Sequence, residues 1–298
     1  PRVIRQADLH IVNLEAPLTT RTDTSTSKSY WLRTPPDVGK ALLDGLSVDA
    51  VSLANNHVLD YGEEGLYETI HHLEQSGIRH AGGGRNHETA ASPVFFERRG
   101  QTLAFLAFSN TYPQSFWASA GKAGTAYGDP DLVRSRVKRA KERADRVVVS
   151  FHWGEQTKRN PKNYQQQLAR LSIRAGADVV FGHHPHTLQP VEQYGDGLIF
   201  YSLGNYFFST LSRDVQYGLL AEVRFPAQPS PPDYRLHLMN INNYEVHYRP
   251  QYAGRFDSAL GVGVELGRLG FFRRLAQSSD HTDENRFIYT RWTEKTPR

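Results

Sequence analysis

The chain has 298 residues, 39% of them apolar and 22% charged, which is enough to bury a full core and excludes disorder, collagen and coiled coil. It contains no cysteine, so disulfide scaffolds, Cys-held zinc, iron–sulfur clusters and thiol nucleophiles are excluded and any metal must sit on His, Asn, Asp or Glu. The 35 basic against 31 acidic side chains leave a net charge of +4, too mild to call for nucleic acid, and no stretch of about 18 apolar residues is present to cross a membrane.

In chain order the pattern predicts a strand over residues 9–14, a helix over 37–46, a strand over 50–53, a helix over 65–75, and strands over 94–97 and 102–107. A helix over 130–144, a strand over 147–151, a helix over 163–175 and strands over 179–181 and 198–202 follow. Strands separated by helices favour an α/β fold with parallel pairing. The basic run Arg134, Arg136, Lys138, Arg139, Lys141 and Arg143 has Val133, Val137 and Ala140 threaded through it at helical spacing, the pattern of a solvated amphipathic face. Prolines 226, 229, 231 and 232 break the pattern, so residues 1–226 read as a core unit. Residues 227–298 add strands and a helix that complete the same domain. The strands expected there and just before it are 218–225, 234–240 and 243–248, and the helix 261–275.

Four apolar strands run directly into polar side chains at their C-terminal ends, the edge where open α/β sheets bind ligands. They end in Asn13-Leu14-Glu15, Asn55-Asn56-His57, His152-Trp153-Gly154 and His183-His184-Pro185-His186. Hard oxygen and borderline nitrogen donors of this kind suit Mn²⁺, Fe²⁺ or Zn²⁺, and two such ions about 4 Å apart clamp a phosphoryl group. In the His184–His186 pair an extended backbone is expected to send both rings to one face, with Pro185 stiffening the link. Gly82-Gly83-Gly84 lacks the spacing of a nucleotide loop and reads as a flexible turn. No G-x-S-x-G elbow supports serine chemistry.

These motifs resemble the bacterial capsule-synthesis CapA family, also called poly-γ-glutamate capsule biosynthesis proteins, which looks like a branch of the calcineurin-like metallophosphoesterases. The match runs through Ala7-Asp8 with Asn13-Leu14-Glu15, then Ser52-Leu53-Ala54-Asn55-Asn56-His57 with Asp60-Tyr61-Gly62. It continues through His152-Trp153-Gly154 with Glu155, Gly182-His183-His184-Pro185-His186, and Tyr201-Ser202-Leu203-Gly204-Asn205. Any one of these alone is weak; five in order are specific.

The resemblance implies a four-layer α/β/β/α sandwich lacking its first strand. It implies that Glu15, Asn56, His152, His184 and His186 hold one or two divalent ions of Mn, Fe or Zn, and that His57 faces the scissile phosphate and stabilises charge or protonates the leaving oxygen. Asn13, Asp60, Glu155 and Asn205 are then expected to support the ligands or the substrate; for Asp60 a turn or helix-start role is the competing expectation. Lys28, Tyr30 and Arg33 match a family stretch and are candidates for contact with an anionic substrate, with an edge-strand role as the alternative.

The family pattern opens with a strand ending in Gly-Asp, and this chain starts at Pro1, after that point. The expectation is a piece cut upstream, or a protein with a reduced second metal site. Asp8-Leu9-His10 spells D-x-H but leads into the same strand as Glu15 and reads as a decoy. Gly128-Asp129 reads as a helix start and Gly195-Asp196 as a turn. The resemblance implies an envelope location, anchored outside the cytoplasmic membrane, with a capsule-synthesis membrane complex and an anionic polymer or phosphoester as partners. The implied function is hydrolysis of a phosphoester or related bond in capsule or poly-γ-glutamate synthesis or export. The alternatives are a non-catalytic assembly factor that binds metal or polymer, and a phosphodiesterase unrelated to capsule.

Overall fold

A computed structural model describes residues 4–24, 28–209, 215–226, 231–257 and 287–288, and the chain divides into two units, Pro1–Trp153 with Ala175–Ala177, and Gly154–Arg174 with Asp178–Arg298. Among the described residues no helix is long and apolar enough to cross a membrane.

The first unit begins with two β-α-β turns. Strands β1 (Ile11–Asn13), β2 (Ala50–Ser52) and β3 (Arg79–Ala81) pair in parallel in that order. The helices α1 (Pro36–Gly45) and α2 (Gly62–Gln75) connect them. Pro36 starts α1 where its missing N–H costs nothing. Leu43 of α1 and Leu66 and Leu73 of α2 close over Val51 and Leu53 in one buried cluster. Ala50 and Ser52, which point to the other face of β2, are buried as well. Both faces of this sheet are therefore covered.

A second sheet in the same unit follows. The short strand β4 (Gly83–Gly84) and helix α3 (His87–Ala90) lead to the hairpin of β5 (Val94–Arg98) and β6 (Gln101–Ser109). Strand β7 (Gly124–Thr125) pairs with β4, and α4 (Pro130–Lys141) crosses over to β8 (Arg146–His152), which pairs in parallel with β6. Every residue of β8 is buried, the mark of a strand covered on both faces. Helix α4 packs on β6 and β8 while β3 lies against β5 and β6. The unit thus runs helix, sheet, sheet, helix, a mixed α/β architecture of the layered kind expected. Asp129 caps α4, its Oδ1 accepting from the amides of Asp131 and Leu132, so Gly128-Asp129 is a helix start. Val133, Val137 and Ala140 are buried while Arg134, Lys138 and Arg139 face water and Arg136 pairs with Glu88.

The run Gly82-Gly83-Gly84 is not a flexible turn. A Cβ on Gly82, whose φ is +86°, would lie 2.5 Å from Ala54 Cβ and 2.8 Å from Ala107 Cβ, and Gly82 O accepts from Ala126 N at 2.9 Å. Close backbone approach, rather than mobility, requires these glycines.

In the second unit α5 (Asn163–Arg174) packs on the parallel pair β9 (Val179–His183) and β11 (Gly197–Phe200). Strand β10 (Val191–Tyr194) forms a hairpin with β11 whose turn is Gly195-Asp196, as expected. A meander of β12 (Tyr217–Arg224), β13 (Asp233–Asn240) and β14 (Gln251–Asp257) follows, and β15 (Phe287–Ile288) pairs with β10. The strand expected over 243–248 is instead a helical turn, α6 (Asn243–Val246). Asn242 caps it and Glu245 accepts from the side chains of Asn240 and Asn242, local bonds that compete with a sheet ladder. His247 and Tyr248 then take positive φ, 48° and 61°, and the third strand begins three residues later. The helix expected over 261–275 lies outside the described residues.

Candidate functional site

In the first unit the C-terminal ends of β1, β2 and β8 deliver the side chains that the strand-end pattern singled out. Asn13 Nδ2 donates to Glu15 Oε2 at 3.2 Å. Glu15 Oε1 stands 3.7 Å from His152 Nε2, and the same Nε2 lies 2.7 Å from Asn56 Oδ1. Asn56, His57 and His152 are buried. A carboxylate, a carboxamide oxygen and an imidazole nitrogen so placed are donors that a divalent cation of the Mn, Fe or Zn class accepts, so the residues present fit a metal. A cation held there would take the Nε2 lone pair of His152, so that a neutral ring would carry its proton on Nδ1.

The loop after β2 is built by Asn55, a residue the sequence reading placed in a motif without giving it a task. Its Oδ1 accepts from the amides of His57 and Val58 at 3.0 and 2.9 Å, and its Nδ2 donates to Leu14 O at 2.9 Å. One buried side chain thus fixes the turn that presents Asn56 and His57 and ties it to the loop carrying Glu15. The signal was present in the Asn-Asn-His run, since an asparagine accepting from amides two and three residues on is a common turn device.

His57 is gripped on its Nδ1 side. Asp60 Oδ2 lies 2.6 Å from that nitrogen, and Asp60 is fully buried. The first position of α2 is preceded by Tyr61 with no side-chain cap, so Asp60 serves His57 rather than the helix start. Lys28 Nζ reaches Asp60 Oδ1 at 2.5 Å, Asn56 O at 2.6 Å and His57 Nδ1 at 2.9 Å. Burial pushes the Lys28 ammonium below its ordinary value, against the opposing pull of Asp60. Tyr30 stacks on the His57 ring with centroids 5.8 Å apart. Arg33 donates to the carbonyl of Arg21 at 2.5 Å and lies over the Tyr61 ring.

The D-x-H run is a decoy, as expected. Asp8 pairs with Arg99 at 2.8 Å, and the His10 ring bonds Leu46 O at 2.9 Å, its pKa lowered by burial.

In the second unit β9 ends at His183 and is followed by His184, Pro185 and His186. Burial pushes the His183 imidazole down to about 4. The extended backbone expected for the pair does not hold: His184 has φ 94° and His186 φ 59°. The ring centroids are nonetheless 6.1 Å apart. Non-glycine residues in this region cost on the order of 1 kcal/mol or more each and concentrate at functional sites. His186 Nδ1 lies 2.8 Å from Asn205 Oδ1, and the Asn205 amide nitrogen is buried without a hydrogen-bond partner among the described residues. Gly218 makes room for this: a Cβ there would fall 1.6 Å from Asn205 O. Glu155 lies at the surface and pairs with Lys162, which holds its carboxyl below the usual range.

A family model described as bacterial capsule synthesis protein PGA_cap matches residues 1–210. The PGA biosynthesis protein CapA of Bacillus subtilis (strain 168) is 35% identical over 225 residues, covering 73% of this chain and 59% of that protein. The capsule biosynthesis protein CapA of Bacillus anthracis is 36% identical over 179 residues, 57% of this chain and 44% of that one. The chain belongs to the bacterial capsule synthesis protein family, as its motifs indicated, and spans about half the length of these curated relatives. The crystal structure of the calcineurin-like phosphoesterase YfkN from Bacillus subtilis aligns with 14% identity and a TM-score of 0.43 over 76% of this chain and 66% of that one, too loose a likeness to bear on fold or function.

Proposed function

We propose that this chain acts in the synthesis or export of an anionic envelope polymer such as poly-γ-glutamate, through metal-dependent hydrolysis of a phosphoester or a chemically related bond. The observation that carries the reading is the division of labour at the strand ends of the first unit. Glu15, Asn56 and His152 turn their donor atoms toward one another, whereas His57, one residue from Asn56, is held by Asp60 and lies outside that group. In this reading Asn13 steadies the Glu15 carboxylate; in the second unit His184 and His186, the latter with its ring fixed by Asn205, are the further candidate ligands. One or two divalent ions held there would polarise a phosphoryl group.

His57 does the proton work. With Nδ1–H given to Asp60, the ring gives a proton from Nε2 to a leaving oxygen, or meets developing negative charge, as the doubly protonated imidazolium that the Asp60 carboxylate stabilises. The names of the Bacillus relatives place them in capsule and PGA biosynthesis, which supports an anionic polymer as the setting and the capsule-synthesis machinery as partner.

The test is hydrolysis of a generic phosphodiester by the purified chain with Mn²⁺, beside His57→Ala. Turnover that is abolished in the variant supports the reading. Metal bound by a wild-type chain that hydrolyses neither phosphodiesters nor polymer would instead make the chain a non-catalytic assembly factor, and activity confined to nucleotide or lipid phosphodiesters would separate it from capsule.

A further inference from the structure

Lys28 reaches the candidate site from the segment between β1 and α1, and its contacts contradict the simplest role for a lysine there. Its side chain is only 18% exposed. Its ammonium has three acceptors within reach, Asp60 Oδ1 at 2.5 Å, Asn56 O at 2.6 Å and His57 Nδ1 at 2.9 Å. A cation committed in this way to internal partners is poorly placed to greet an anionic substrate.

The hydrogen bonds can be assigned by counting protons. An imidazole Nδ1 either donates or accepts, so it cannot both receive a proton from Lys28 and give one to Asp60 Oδ2 at 2.6 Å. The carboxylate is the shorter, charge-assisted partner. Nδ1–H therefore donates to Asp60, and Lys28 gives its protons to Asp60 Oδ1 and Asn56 O. Asp60 Oδ2 also accepts from Leu32 N at 2.8 Å. Both carboxylate oxygens are thus held by the segment that carries Lys28, and His57 takes its orientation from a carboxylate whose own rotamer this segment sets.

We propose that Lys28 is a positioning residue for His57, clamping Asp60 and Asn56 O so that the imidazole keeps one ring plane, with its Nδ1–H on Asp60 and Nε2 toward substrate. It also balances the charge of a fully buried carboxylate, which left alone would be costly. The catalytic consequence rests on the hydrolytic reading above; the orientation of the ring does not.

The experiment compares wild type with Lys28→Met, Lys28→Arg, Asp60→Asn and the Lys28→Met/Asp60→Asn double variant. It measures phosphodiester kinetics with Mn²⁺, bound metal, and NMR of the chain labelled with ¹⁵N-histidine, the His57 signals being assigned by their loss in His57→Gln. Lys28→Met is expected to lower kcat about 10- to 100-fold, the usual effect of losing a partner behind the reacting group, with KM and metal content unchanged. Lys28→Arg is expected to recover part of the loss. The double variant is expected to be no worse than Asp60→Asn, because both act through one path. A downfield, slowly exchanging Nδ1 proton of His57 is expected in wild type and Lys28→Arg and absent from Lys28→Met.

A rise in KM at constant kcat would make Lys28 a substrate contact, and additive losses would make it merely structural; either overturns the proposal. So does an unchanged His57 proton in Lys28→Met. If Lys28→Met does not fold, Lys28→Gln is read by the same criteria. A wild type without turnover sinks hydrolysis alone, and the NMR arm still decides the role of Lys28.

Discussion

His57 and Asp60 are joined by a 2.6 Å contact inside a buried pocket of charge, so the carboxylate is expected to matter for rate more than for binding. Asp60→Asn keeps the volume and removes the charge that selects the Nδ1–H tautomer. We expect kcat to fall about 10- to 100-fold with metal content intact; a loss confined to KM would contradict the assignment. A different histidine contributes to pH dependence, beside His10 and His183. Burial lowers the pKa of His80 from its ordinary 6.5, so the unfolded chain binds the proton more readily than the folded one. Stability present above pH 6.5 is then lost as pH falls below it. Urea midpoints between pH 7.5 and 5 should decline less steeply in His80→Gln than in wild type, and parallel slopes would remove His80 from the account. At this scale Glu15, Asn56, His57 and His152 were legible because each interrupts or ends an apolar strand. The task of Lys28 was not, because its partners lie 28 to 32 positions away, nor was the tie of Asn55 to Leu14, 41 positions off, and the left-handed backbone at His184 and His186 has no mark in an H-P-H run.

Gly82, which precedes β4, belongs to the scale of elements. Gly82→Ala would push a methyl against Ala54 and Ala107 at a positive φ, costing about 1–3 kcal/mol for overpacking and on the order of 1 kcal/mol for the backbone. Gly121→Ala, with nothing within 4 Å, is the control; equal urea midpoints for the two would refute the close approach. In the second unit Arg170 of α5 reaches Glu192 of β10 at 2.8 Å, and Tyr201 donates to the other carboxylate oxygen at 2.6 Å. Arg170→Ala leaves a buried carboxylate without its cation, and a loss of about 3–5 kcal/mol is expected, largely recovered in Arg170→Met/Glu192→Leu. If the double variant is as unstable as the single, the buried charge is not the cause. Strands and helices with clean periodicity were legible, and α4 with its Asp129 cap was read to within three residues. The short strands β3, β4, β7 and β10 were not, since two to four residues carry no period, and α6 was hidden because its capping bonds come from Asn and Glu side chains that also suit a loop.

For the molecule as a whole, family membership came from motif order, which survives the weakness of each motif, whereas the chemistry performed is a matter of the assembled site. The chain's match to capsule-synthesis proteins over residues 1–210 covers all the candidate ligands and leaves the meander of β12 to β14 outside it. The central claim is that a metal is held by donors at the strand ends while His57 stands apart from them. The most direct measurement is bound metal per chain, by elemental analysis after dialysis against Mn²⁺, in wild type, His57→Ala and His152→Ala. The account predicts that His57→Ala retains the wild-type content and His152→Ala loses metal. Loss in His57→Ala, or full retention in His152→Ala, would contradict it.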